Sequence, residues 1–181
     1  MGTALKAAAA ATAAAVAGAA TAIGALTTKA IEGYAAQEQL VGGVETLFKT
    51  SSDTVVGYAN DAYKTAGMSA NEYMETVTSF SASLLASMNN DTAAAAEKAN
   101  VAITDMSDNA NKMGTDISLI QNAYNGFAKQ NYTMLDNLKL GYGGTKEEMQ
   151  RLLDDASKLS GIKYDISSYS DVVDAIHVVQ T

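Results

Sequence analysis

The sequence predicts an all-α protein, an Ala-rich N-terminal helix followed by a compact multi-helix array. Three observations predict it. The 181 residues include no proline, the residue that disrupts a helix interior at a cost of about 3 kcal/mol. Ala, Leu, Met, Glu and Lys, all good helix formers, fill the stretches between glycines. Strict apolar alternation, the mark of a half-buried strand, is clear only at Ile162-Lys163-Tyr164-Asp165-Ile166. A lone strand has no partner, so that segment reads as a packed connector.

Residues 1–33 form a compositional zone of their own, and residues 34–181 form the helical domain. From Ala7 to Thr28 there is no charge, between Lys6 and Lys29. That run is long enough for a bilayer core, which needs about twenty residues. Its large apolar side chains are only Val16, Ile23 and Leu26, and alanine buries little area, so the drive into lipid is weak. Ala14/Gly18 and Ala20/Gly24 give small-residue faces on which helices approach closely. Three readings stay open: a soluble helix packed against identical or partner helices, a conditionally inserting or transmembrane segment, and a secretory signal peptide. The start Met1-Gly2-Thr3-Ala4-Leu5-Lys6 lacks the Ser or Thr that myristoylation requires at the sixth position.

Leu40, Val41, Val44, Leu47 and Phe48 lie on one face of the next helix, with Gly42-Gly43 inside it marking a close neighbour or a bend. Ser51-Ser52-Asp53 offers an N-cap, and Val55, Val56, Ala59, Ala62, Tyr63 and Ala66 continue the apolar pattern to Gly67. Gly67 suits the left-handed residue that ends a helix. Ser69 and Glu72 form a capping box, with Met68 and Tyr73 at the hydrophobic-staple positions. The helix that follows carries Tyr73, Val77, Phe80, Leu84 and Met88 on one face, with Met74 and Leu85 beside it.

Asn89-Asn90-Asp91 reads as a turn and a new N-cap. The next helix runs to Gly114 with Ala99, Ala102, Ile103, Met106, Ala110 and Met113 inward. A further helix from Thr115 shows Ile117, Ile120, Tyr124 and Phe127. Asn131 to Leu140 is expected to be a polar helix, and Gly141-Tyr142-Gly143-Gly144 a flexible loop. Thr145 and Glu148 make a second capping box, followed by the apolar face Met149, Leu152, Leu153, Ala156 and Leu159, which Gly161 ends. Ser168 and Asp171 cap a last helix with Val172, Val173, Ile176 and Val179. Gln180-Thr181 carries no helix-ending signal, which is expected of part of something longer.

Composition narrows the chemistry. The absence of cysteine excludes disulfides, thiolate catalysis and Cys-ligated metal sites, and a single histidine excludes a multi-His centre. Twelve basic against twenty acidic residues give a net charge of -8, which argues against sequence-specific nucleic-acid binding, because neutralising phosphates needs clustered Lys or Arg. No catalytic, metal-binding or cofactor-binding residue is expected. Four features come nearest to a chemical site. His177 reads as a half-exposed partner of an acidic neighbour. Glu147-Glu148 and Asp154-Asp155 resemble a glycosidase pair, but adjacent residues point different ways and first-turn acids suit the helix dipole. Asp105-Met106-Ser107-Asp108-Asn109-Ala110-Asn111 lacks the glycine and glutamate of a calcium loop and reads as a solvated helix face. Gly141-Tyr142-Gly143-Gly144 lacks the preceding strand and the Lys of a phosphate-binding loop.

Several long segments resemble a known family: LVGGVETLF (40–48), TAGMSANEYMETVTSFSASLL (65–85), AITDMSDNANKMGTD (102–116) and NGFAKQNYTMLDNLKLGYGGTKEEMQRLLDDA (125–156), together with DVVDAIHVVQT (171–181). They are similar to the N-terminal region of tail tape measure proteins of long-tailed phages and prophages of Gram-positive bacteria, over essentially residues 5–181. The resemblance implies a virion protein in the tail-tube lumen, made in the bacterial host cytoplasm, which acts in tail assembly and tail-length determination and assists DNA ejection. The partners it implies are the tail tube protein, tail assembly chaperones and the tail tip or distal tail proteins, with host-membrane contact through residues 7–28 and homo-oligomers as further expectations. No enzymatic activity is implied. At about 1.5 Å per residue, 181 residues span at most roughly 270 Å as one helix, shorter than such tails. The expectation is therefore a fragment, or a degenerate prophage product, carrying the head of the ruler. Two alternatives belong to other classes, a membrane-perturbing or pore-forming helical protein acting through residues 7–28 and a secreted helical interaction module.

Overall fold

The structure, a computed structural model, describes residues 35–181. The expectations for residues 1–33, namely the Ala-rich helix, its small-residue faces and its membrane readings, lie outside the described residues. The chain divides between Gln39 and Leu40, and Leu40–Thr181 is one compact unit. Among the described residues the fold is all-α, without a strand. No described helix is long and apolar enough to cross a membrane.

The chain is helical over residues 35–48 (α1) and continues through a 3-10 turn at Lys49–Ser51 into α2 (Ser52–Thr65). Then follow α3 (Ala70–Ser87), α4 (Thr92–Met113), α5 (Ile117–Phe127), a 3-10 turn at Leu135–Leu138, α6 (Lys146–Ser160) and α7 (Tyr169–Gln180). The 22 residues of α4 make it about 33 Å long, at about 1.5 Å per residue. It is the hub, packing against α2, α3, α5 and α7. α6 and α7 pack on each other, as do α2 and α3.

The helix boundaries follow from local chemistry. Gly67 takes φ +63° after α2, Gly114 φ +62° after α4 and Gly161 φ +73° after α6, a left-handed region that costs side-chain-bearing residues about 1–2 kcal/mol. Ser69, Asp91, Asp116, Thr145 and Ser168 stand at N-caps, and each side chain accepts a hydrogen bond from a first-turn backbone N–H. Asn89 and Asn90 both adopt left-handed φ, +53° and +60°, a conformation that asparagine tolerates better than most residues. Met68 and Tyr73 are both buried at the staple positions.

The core is one cluster contributed by every helix. Val44 and Phe48 of α1 join Val55, Ala59 and Ala62 of α2, and Tyr73, Val77, Phe80 and Leu84 of α3. Ile103 and Met106 of α4 meet Ile120, Tyr124 and Phe127 of α5. Met149, Leu152 and Leu153 of α6 and Val172, Val173 and Ile176 of α7 complete it. The Phe80 and Tyr169 rings meet edge to face at 6.2 Å, a favourable aromatic geometry. Gly42-Gly43 stays within α1, and a Cβ on Gly43 would sit 3.6 Å from the Thr78 methyl, an ordinary contact.

Several expectations are corrected. Ser51 does not cap α2 through its side chain, because the 3-10 turn leads directly into the helix and the Ser51 hydroxyl pairs instead with Thr92 at 3.0 Å. Tyr63 is 65% exposed, since Val55, Ala59, Ala62 and Ala66 already fill the buried stripe and Tyr63 lies about 100° around the helix from Ala62. Leu159 is 70% exposed. The final turn of α6 is covered instead by Tyr164, whose hydroxyl bonds Ser160 Oγ at 3.1 Å. Asn131 to Leu140 is not an α-helix. Only Leu135–Leu138 forms a 3-10 turn, and Tyr132, Leu135 and Leu138 are buried. The segment Ile162–Ile166 is a connector, with Tyr164 inward and Ile162 exposed.

The loop expected to be flexible is pinned at several points. Arg151 Nη2 donates to the Gly141 carbonyl at 2.8 Å, and its guanidinium lies 4.3 Å from the Tyr142 ring centre. The Tyr142 hydroxyl donates to Asp155 at 3.1 Å, and the Gly143 N–H donates to Glu148 Oε2 at 3.1 Å. A Cβ on Gly144 would lie 2.2 Å from the Thr133 carbonyl oxygen, so only glycine allows the two backbones to cross there.

Candidate functional site

Polar and charged side chains join α4 to α7 along a seam. Lys98 forms an ion pair with Asp174. About two turns further along α4, Asp105 faces His177, whose Nδ1 lies 2.9 Å and 3.1 Å from the two carboxylate oxygens. Next, Asn109 Nδ2 donates to Gln180 Oε1 at 3.5 Å and to the Leu138 carbonyl at 3.0 Å. Gln180 Nε2 donates to the Asp105 carbonyl at 3.1 Å, and Lys112 Nζ donates to the Gln180 carbonyl at 3.4 Å. Partner numbers rise together on both helices, so α4 and α7 run in the same direction.

The sequence places these residues by helical spacing. Asp174, His177 and Gln180 recur every three residues along one face of α7, and Lys98, Asp105, Asn109 and Lys112 recur at seven, four and three along α4. Asp105 is only 5% exposed. Burial pushes its carboxyl above the usual range, the neighbouring His177 pulls it down, and Asp108 pushes it up. The fully buried Tyr124 hydroxyl has no hydrogen-bond partner. Burial first, then the charge of Asp105, raises its titration well above that of an ordinary tyrosine.

The run Asp105–Asn111 is therefore not a solvated helix face. Asp105, Met106, Ser107 and Asn109 are buried and only part of the run faces water. The reason is tertiary: each buried polar group meets a partner from a distant part of the chain, α7 for Asp105, the Leu138 carbonyl for Asn109 and the Ala66 carbonyl for Ser107. His177 does stand half-exposed beside an acid, which comes from 72 residues away.

A base held by an acid is two thirds of a nucleophilic triad. Among the described residues, no hydroxyl hydrogen-bonds to the His177 ring; its bonded partner is Asp105. Three of the four paired acids are held in structural contacts. Glu148 pairs with Arg151, Asp155 with Lys158, and Asp154 accepts from Gln150. Gly141–Gly144 is closed against Arg151 and Thr133. Among the described residues no group of three or more His, Asp or Glu side chains is placed to hold a metal ion.

Comparisons with protein-family models, curated proteins and solved structures gave no match. The seam is half visible in the sequence, through His177 alone. Lys98, Asp174 and Asn109 gave no local signal, because their roles depend on α7 returning to α4.

Proposed function

We propose that this chain is a structural component of a phage tail, the helical head of a tape measure protein, acting in tail assembly and tail-length determination. One observation supports the reading above others: the segments that resemble that family supply the core of the fold. Val44 and Phe48 come from 40–48, and Tyr73, Val77, Phe80 and Leu84 from 65–85. Met106 comes from 102–116, Phe127, Leu135, Leu138, Met149 and Leu152 from 125–156, and Val172 and Ile176 from 171–181. A sequence similarity carried by packing residues concerns the whole module rather than a transplanted motif. The polar clusters also serve to join helices, as a structural role requires.

On this reading the tail tube protein, tail assembly chaperones and tail-tip proteins are its partners, and its place is the tail-tube lumen. The test is to tag the chain in a host that produces the particles, purify the tails and identify their proteins by mass spectrometry. The expected result is the tagged chain in intact tails. Its absence from purified tails, with the protein present in the lysate, would overturn the proposal. Turnover of peptidoglycan, peptides or phosphoesters that vanishes in His177→Ala would overturn the non-catalytic part.

A further inference from the structure

The contact between α4 and α7 depends on titratable groups in a way that a purely apolar seam does not. Asp105 is nearly buried while His177 has its ring half in water. The imidazole can therefore exchange its proton with solvent without undocking, and histidine is the side chain whose ordinary titration falls between about pH 5 and 8. A carboxylate only accepts hydrogen bonds, so the Nδ1 facing it carries hydrogen in either state. What changes with pH is the charge behind that bond. With a carboxylate as acceptor the bond is charge-assisted in either state, and the added proton contributes the attraction between two opposite charges.

We propose that the α4–α7 seam is a pH-sensitive latch, in which protonated His177 on Asp105 holds the end of α7 closed and loss of that proton loosens it. The hinge side of the helix is anchored independently. Val172, Val173 and Ile176 are buried, Lys98 pairs with Asp174, and the Ser170 N–H donates to Ser87 Oγ at 3.1 Å. The loosening therefore falls on the last turn, where Gln180 Nε2 bonds the Asp105 carbonyl and Lys112 reaches the Gln180 carbonyl.

The groups around the pair set the direction. On α4, Asp108 adds negative charge near Asp105, Lys98 is bound by Asp174, and Lys112 by the Gln180 carbonyl. On α5 the Tyr124 hydroxyl lies near Asp105 and stays protonated. On α6, Glu148, Arg151, Asp155 and Lys158 pair among themselves, and Asp154 is held by Gln150. On α3, Tyr73 donates to Asn100, while Glu72 and Glu75 line the groove beside α5. Asp171 on α7 is held by Ser168 and the Asp165 N–H at the opposite end of the helix. Of these groups only His177 and Asp105 bond each other beside the last turn, so a change of charge on that pair acts there.

The chain has one histidine, which makes the test clean. Hydrogen exchange of the α7 amides, corrected for intrinsic exchange, is measured on the full chain at about pH 6 and pH 8. The last turn is expected to open about fivefold more at the higher pH, as the attraction between the two opposite charges is lost, with α3 unchanged as the internal reference. His177→Asn, which keeps a donor near the Nδ1 position without a titrating charge, should abolish the difference. Asp105→Asn should abolish it too. The same pH step surviving in His177→Asn would overturn the proposal. If a variant fails to fold, the wild-type imidazole is titrated by NMR. Ring and α7 amide shifts moving with a common midpoint support the latch, and α7 amides indifferent to the ring titration overturn it.

Discussion

Ser107 on α4 donates its hydroxyl to the carbonyl of Ala66, 2.8 Å away and 41 residues earlier in the chain. Both residues are buried. Ala66 is the cap residue at the end of α2, where carbonyls lose their intrahelical partners. The contact thus closes one helix with a side chain from another. Ser107→Ala leaves that carbonyl buried and unpaired, and should cost about 1–3 kcal/mol in chemical denaturation. Asp108→Ala, at the exposed neighbour, should fall within about 0.5 kcal/mol of wild type. Equal effects would show that the Ser107–Ala66 bond carries no special weight.

Two glycines should respond with opposite signs. A Cβ on Gly144 would stand 2.2 Å from the Thr133 oxygen and 2.9 Å from its carbon, both backbone atoms. Gly144→Ala must push two segments apart and should destabilise by about 1–3 kcal/mol, as overpacking does. Gly57 lies exposed inside α2 with nothing within 4 Å of its missing Cβ. Gly57→Ala should stabilise by about 0.5–1 kcal/mol, because alanine loses less backbone freedom on entering a helix. Thermal or denaturant midpoints of the two variants check both signs.

What was legible in the sequence and what was not divides along the range of the interactions. Ser69, Asp91, Thr145 and Ser168 could be read as caps because each bonds within three residues of itself. Gly67, Gly114 and Gly161 were readable for the same reason. The inward faces of α3 and α7 followed from helical spacing. The misreadings are tertiary. Nothing near Asp105, Ser107 or Asn109 reveals that α7, the α2 cap and the Leu138 carbonyl will cover them. Asn131–Leu140 did carry a usable signal: Tyr132, Leu135 and Leu138 recur every three residues, the period of a 3-10 turn, and all three are buried. The polar residues between them masked it. Of the candidate site, the His177 side of the His177–Asp105 contact is legible in the sequence, while Asp105 sits in a polar run that has the pattern of a surface face.

Stability should depend on pH through two sets of carboxyls with opposite signs. Burial raises the Asp105 carboxyl, so its contribution is full below the unfolded value of about 3.9 and is lost as pH rises through its folded value. Asp116 and Asp165 are lowered by hydrogen bonds from Ser118 and Ser167, Glu148 by Arg151, and Asp155 by Lys158. Those four contribute above their unfolded values, about 4, and lose it as pH falls through their folded ones. Asp105→Asn removes only the first set. Its stability relative to wild type should therefore be most favourable at about pH 8 and should decline toward about pH 4, where wild type regains its buried proton. Denaturant midpoints of both proteins across that range check it, and a constant gap would refute the linkage.

The final prediction concerns residues 1–33, where the structural and membrane readings of the sequence part. Every buried residue of the described core lies between Val44 and Ile176, and the caps that define its helices begin at Ser69. Deleting residues 1–33 should therefore leave the helicity and cooperative unfolding of the remaining domain intact. The uncharged run Ala7–Thr28 is rich in alanine and poor in large apolar side chains, so its small-residue faces favour close helix packing over deep insertion in lipid. The deletion should lower self-association. Leakage from anionic and neutral vesicles should be weak in the full chain and weaker still in the truncated one. Circular dichroism, light scattering and dye release on the two proteins read these three outcomes separately. Unfolding of the truncated chain would make residues 1–33 an integral part of the core. Strong leakage by the full chain, lost on truncation, would favour the membrane-perturbing reading over the structural one. A full chain that is monomeric, does not bind lipid and is equally stable without the segment would refute both the packing and the membrane readings of residues 7–28.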